Sequence, residues 1–146
     1  MRIVPFQAEH GFALVEGQLN NDKNRPSPNF GNFIPELVQQ DMAFTGIENG
    51  HLIVVSGVYV LWSGVGEGWF LASKKIEDHK VAAIRAVKKG LKKIITDNGH
   101  HRVQAAVRSD WKDANRLARY LGMQHEGTMR QYGIEKEDFE RWAWVL

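Results

Sequence analysis

The stretch WFLASKKIEDHKVAAIRA, residues 69–86, places Lys74, Lys75, His79 and Lys80 where an apolar run gives way to a long basic one. Cations at the start of a helix suit phosphate, because the helix N-terminus already favours negative charge. The junction has no glycine, and Glu77 and Asp78 bring negative charge to the same place. The four cations also read as the solvated start of a surface helix. Upstream stands Glu67, a carboxylate that could deprotonate an attacking amine. It also reads as an ordinary turn residue of SGVGEG. Tyr132 is a phenol that could donate a proton, and it also reads as a packed core tyrosine. His100 and His101 are adjacent. Side chains of neighbouring strand residues point to opposite sides, so the pair predicts no metal site.

These groups need elements to hold them. Residues 2–6 read as a first strand, and Phe12, Val15 and Leu19 have the spacing of one helix face. Residues 20–33, rich in Asn, Pro and Gly, predict a long loop, followed by a short helix over 36–40. Residues 42–48 and 51–62 read as strands joined by a tight Asn49-Gly50 turn. Residues 63–68 predict a second turn and 69–72 a third strand of this antiparallel meander.

From Val81 the period changes: Val81, Ile84, Val87, Leu91 and Ile94 make one helix face, stopped at Asn98-Gly99. Residues 102–108 read as a strand. Asp110 is placed to cap a helix carrying Ala114, Leu117, Ala118 and Leu121, ended by Gly122. Residues 124–132 and 139–145 read as two closing strands. The fold class is α+β (α/β), with a mixed, mostly antiparallel sheet and helices on both faces.

Composition narrows the function. At 146 residues, 43% hydrophobic and 25% charged, the chain predicts one soluble domain. The absence of cysteine excludes disulfides and thiol nucleophiles, and fits a reducing, cytoplasmic setting. No signal-peptide pattern or membrane-length apolar run is present. A net charge of +2 argues against nucleic acid as a partner, and Lys88, Lys89, Lys92 and Lys93 read as a solvated helix face.

The element order resembles the Gcn5-related N-acetyltransferase (GNAT) superfamily over nearly the whole chain. The strongest local match is ANRLARYLGMQHEG, with Ala114, Leu117, Leu121, Gly122 and Met123 in the places the family pattern expects. The resemblance implies a single GNAT-like domain over 1–146 that binds acetyl-CoA and transfers its acetyl group to an amine. It places the cofactor's pyrophosphate turn at 73–80, where the family's Gln/Arg-x-x-Gly-x-Gly/Ala pattern is missing. It implies cofactor contacts from Leu71, Ala72, Ser73, Lys74, Lys75, His79 and Lys80, with the oxyanion held by N–H groups near Leu71 or Ala72. Glu67 is the implied base. The tyrosine that often protonates the departing thiolate falls at Ala118, and Tyr120 lies roughly 200° around the helix from there. Tyr132 is the stand-in acid. The family's asparagine near the start of this helix falls at Trp111. The loop 20–33 borders the acceptor site.

The glycine-free junction is also similar to that of a divergent GNAT-like group of tailed phages. Two functions follow. One is an acetyl-CoA-dependent N-acetyltransferase acting on a small-molecule or protein amine. The other is a catalytically inactive GNAT-fold structural or assembly protein with virion proteins as partners. A homodimer fits either.

Overall fold

The computed structural model describes residues 1–18 and 30–146. Leu19 and most of the expected loop lie outside the described residues. One seven-stranded sheet runs through the rest, in the order β1-β2-β3-β4-β5-β7-β6. The strands are β1 (Arg2–Pro5), β2 (Ala43–Glu48), β3 (His51–Trp62), β4 (Val65–Ala72), β5 (Arg102–Arg108), β6 (Gln124–Met129) and β7 (Phe139–Val145). Every neighbouring pair is antiparallel except β4 and β5. A parallel pair needs a long crossover. Here it is a turn of 3-10 helix, Lys74–Asp78, followed by α3 (Lys80–Asp97).

The expected mixed sheet, hairpin and crossover are all present. Asn49 and Gly50 have φ of 51° and 77°, the left-handed values that a two-residue hairpin turn requires. Helices cover both faces. α1 (Ala8–Ala13), the single π-helical turn after it and α2 (Phe30–Gln40) bury Leu14, Ile34 and Leu37 against Val55 and Leu71. α3 buries Ala83, Val87 and Leu91 against Val54, Ala72 and Val103 on the other face. Beside it α4 (Lys112–Tyr120) seats Ala118 against Met123 and Trp142.

Local details differ from the sequence reading, each for a packing reason. The buried side of α1 is Gly11 with the following Leu14, while Phe12 and Val15 are exposed. A reading of large apolar residues alone misses a face built on a glycine. α2 begins at Phe30 and carries Pro35 inside it, because burial of Ile34 and Leu37 outweighs the missing N–H. The buried stripe of α3 is Ala83, Val87, Leu91 and Ile95, leaving Val81 64% exposed. β4 starts at Val65, so the turn is shorter than 63–68. β6 stops at Met129. Asp110 pairs with Arg108 at 2.8 Å, and Trp111 takes the cap position of α4. Among the described residues, no helix is long and apolar enough to cross a membrane.

Two helical glycines separate propensity from packing. An added Cβ at Gly31 of α2 meets nothing within 4 Å. One at Gly90 of α3 would sit 2.6 Å from Phe44 Cζ in the core. Gly31→Ala should therefore stabilise by about 0.5 kcal/mol. Gly90→Ala should destabilise by about 1–3 kcal/mol, because overpacking exceeds the propensity gain. Urea unfolding checks both, and equal shifts would contradict the packing argument.

Candidate functional site

The parallel ladder between β4 and β5 is short. Val65, Gly66 and Glu67 face Arg102, Val103 and Gln104, and the pairing ends there. Beyond it β4 stays with β3 as far as Ala72, while β5 stays with β7 as far as Arg108. The two strands part, and a cavity of about 450 Å³ fills the opening. Strand side chains alternate between faces. Phe70, Val87, Leu91, Ala114 and Leu117 line the cavity from the α3 and α4 side, and Glu67, Trp69 and Leu71 from the other. The cavity therefore passes through the sheet. A second cavity of about 540 Å³ shares Phe70, Trp111, Ala114 and Leu117 and extends to Ile76, Glu77, Lys80 and Tyr120 at the start of α3.

Polar contacts hold β5 away from β4. The Asn115 amide donates to the carbonyls of Arg108 and Trp111, at 3.1 and 2.9 Å. Its oxygen accepts from Trp142 Nε1 at 2.9 Å. Trp144 Nε1 donates to the Leu121 carbonyl at 3.0 Å. The hydroxyl of Ser109 donates to the Glu140 carboxylate, which also accepts from Thr128 at 2.6 Å and touches His125 Nε2 at 2.7 Å. α4 is thereby fastened to β5 and β7, leaving the β4 side of the gap open. Hydrogen bonds from Ser109 and then Thr128 hold the Glu140 carboxyl below the usual carboxylate range.

The junction is a closed turn. Buried Ser73 donates its hydroxyl to the Leu52 carbonyl at 2.6 Å and accepts from the Lys75 N–H at 3.2 Å. Ile76 N–H donates to the Ser73 carbonyl and His79 N–H to the Ile76 carbonyl. Three amides of the turn are thus committed to its own closure, and they form no cradle for a diphosphate. Lys80 pairs with Glu77 at 2.9 Å, and the hydrogen bond it donates to that carboxylate, then the carboxylate's charge, raises the ammonium's pKa. Lys74 and Lys75 are exposed, with no carboxylate partner among the described residues. His79 supplies no side-chain cap to α3. Ser73 N–H donates to the Ile53 carbonyl, so ladder alternation turns the Leu71 N–H toward β3 as well. Ala72 N–H points the opposite way. Leu71 is therefore not a donor to an oxyanion in the gap.

Glu67 lies within β4, not in the turn before it. Its carboxylate oxygens sit 3.0 and 3.2 Å from Arg141 Nη1, a contact across 74 residues that the sequence did not announce. Arg141 lies opposite Ala106 of β5, whose methyl leaves room for the guanidinium to cross. The hint in the sequence is one arginine in a strand that also carries Phe139, Trp142 and Trp144. Tyr132 follows the end of β6, is 54% exposed, and packs edge-on to Phe139 at 5.3 Å. Phe139 lines the cavity; Tyr132 does not. Ala118 also lines it, while Tyr120 faces the second cavity under Lys88 Nζ, 4.8 Å from its ring. His100 is buried and His101 exposed. Among the described residues no three His, Cys, Asp or Glu side chains gather as a metal site.

No protein-family model matches the sequence, and no curated protein does. Solved structures do match. Ard1 from Thermoplasma volcanium superposes with a TM-score of 0.79 at 11% identity, covering 99% of this chain and 97% of that one. A GNAT-family acetyltransferase from Bacillus anthracis gives 0.74 at 19% identity, covering 98% and 93%. A putative acetyltransferase from Salmonella typhimurium, solved with acetyl-CoA, gives 0.75 at 16% identity, covering 100% and 94%. At these identities the likeness establishes the GNAT fold.

Because the folded Glu140 carboxyl has a lowered pKa, its stabilising effect is complete above the ordinary carboxylate pKa and fades as pH falls through the lower folded value. Glu140→Gln should be less stable than wild type at pH near 6 and lose less on acidification. The two melting-temperature curves should converge as pH falls below the ordinary carboxylate range. Parallel curves would show that the Ser109 and Thr128 contacts do not shift the group.

Proposed function

We propose that this GNAT-fold chain is an N-acetyltransferase that takes acetyl from acetyl-CoA and passes it to an amine. The carrying observation is the cavity through the opened β4–β5 ladder, with the Glu67 carboxylate on one face and the start of α3, at Glu77 and Lys80, on the other. Two substrates entering from opposite faces can meet there without either crossing the sheet.

The fit to the donor is divided. Apolar walls from Phe70, Val87, Leu91, Ala114 and Leu117 suit an uncharged pantetheine arm. The closed turn at Ser73 does not suit the diphosphate, which would rest on the charges of Lys74 and Lys75. Acetyl-CoA supplies the electrophilic acetyl carbon. Glu67 accepts the proton of the attacking amine as the N–C bond forms and the C–S bond breaks. A free alkyl thiol ionises near pH 8.5, so its departure asks little of a protein acid. This reading gives Tyr132 and Ala118 no proton to move.

The closed turn also favours the second reading, a GNAT-fold structural or assembly protein without catalysis. Calorimetric titration separates the two. Saturable acetyl-CoA binding that weakens with salt and in Lys74→Ala/Lys75→Ala supports the enzyme. Glu67→Gln should keep that binding and lower turnover by about 10²-fold. Silence at roughly millimolar acetyl-CoA would leave the assembly reading standing.

A further inference from the structure

The acetyl-transfer reading leaves the acceptor unnamed, and the Glu67–Arg141 pair bears on it. The pair lies on the α1 and α2 face, where Glu67 lines the cavity and Arg141 stands beside it, with the Glu67 and Arg141 side chains 26% and 18% exposed. One guanidinium nitrogen, Nη1, serves both carboxylate oxygens. The other, Nη2, meets among the described residues the thioether of Met129 at 3.4 Å, a weak acceptor. The two-pronged grip that arginine can give a carboxylate is therefore incomplete, and donors remain for a second one.

The other charged groups of this face are already engaged. Arg102 grips Glu126 with two nitrogens and Gln104 with a third. Tyr59 donates to Glu36 at 3.2 Å. Arg108 also lines the cavity, and its Nε faces Asp110 at 2.8 Å. Among the described residues, each arginine of this face has a carboxylate beside it and Glu67 is already countered. A molecule with both charges finds both partners: its ammonium matches Glu67 and its carboxylate matches Arg141.

We propose that the acceptor is a free α-amino acid, bound by exchange with this ion pair. In such a molecule the ammonium and the carboxylate are attached to one carbon, so both charges can reach the adjacent Glu67 and Arg141 side chains. The acceptor's carboxylate draws Arg141 away and frees Glu67. Glu67 then takes the ammonium proton, and the neutral nitrogen attacks the acetyl carbon as the thiol leaves. The inference rests on the acetyltransferase reading for the chemistry, but not for the binding.

The probes are each of the twenty protein amino acids, the carboxamides of those that bind, and spermidine, titrated calorimetrically into the full chain. At least one free acid should bind with saturation. Its carboxamide should bind about tenfold or more weakly, and so should spermidine, which has no carboxylate to meet Arg141. Arg141→Gln should erase the preference for acid over amide, and Arg141→Lys should keep part of it. A carboxamide that binds as well as its acid, tight spermidine binding, or silence from all twenty acids would overturn the proposal. The two wild-type comparisons stand even where a variant fails to fold. Amino-acid binding without acetyl-CoA binding would sink the transferase reading alone. Acetyl-CoA-dependent turnover of spermidine would sink this one alone.

Discussion

Val65 to Glu67 pair with Arg102 to Gln104, and then the one parallel ladder of the sheet stops. That stop governs the site. Interior strands normally continue their pairing, because a buried backbone group without a partner is costly. Here β4 and β5 each keep their other neighbour and release one another. The gap passes through the sheet and brings side chains from both faces to one space. The carbonyl of Arg108 shows part of the compensation, since Asn115 reaches it from α4. Trp142 and Trp144 contribute polar ring atoms as well as bulk.

The junction after β4 shows how local closure competes with ligand binding. A glycine-rich turn leaves N–H groups turned outward to an anion. In this chain Ser73 caps the turn and Ile76 is buried beneath it. The amides then serve the fold. What remains for an anion is the side-chain charge of Lys74 and Lys75, which acts over a longer range, is weakened by salt and carries little geometric information. The apolar end of the cavity keeps its shape, so the two ends of the donor path differ in how well they are built.

Much of the fold was legible because it rests on short-range rules. Asn49-Gly50 dictates a tight turn, and Asn98-Gly99 and Gly122 stop helices. The basic run from Lys80 has a helical period. The misreadings came where a small residue faces the core. Gly11, Ala83 and Gly90 occupy packed positions that a count of large apolar side chains passes over. The phase of α1 and α3 follows from them, because dense packing rewards close approach as much as bulk.

The sequence by itself determined the order of elements, the placement of the junction between β4 and α3, and the lack of glycine in it. These follow from periodicity and from backbone preferences that act within a few residues. Only the tertiary structure decided that the junction closes on Ser73, that Glu67 lies on a strand at the edge of an opening, and that Arg141 holds it. A contact between residues 74 positions apart depends on β5 and β7 lying beside β4 and on an alanine at the crossing. Strand order and register set such a contact, and no local spacing encodes either.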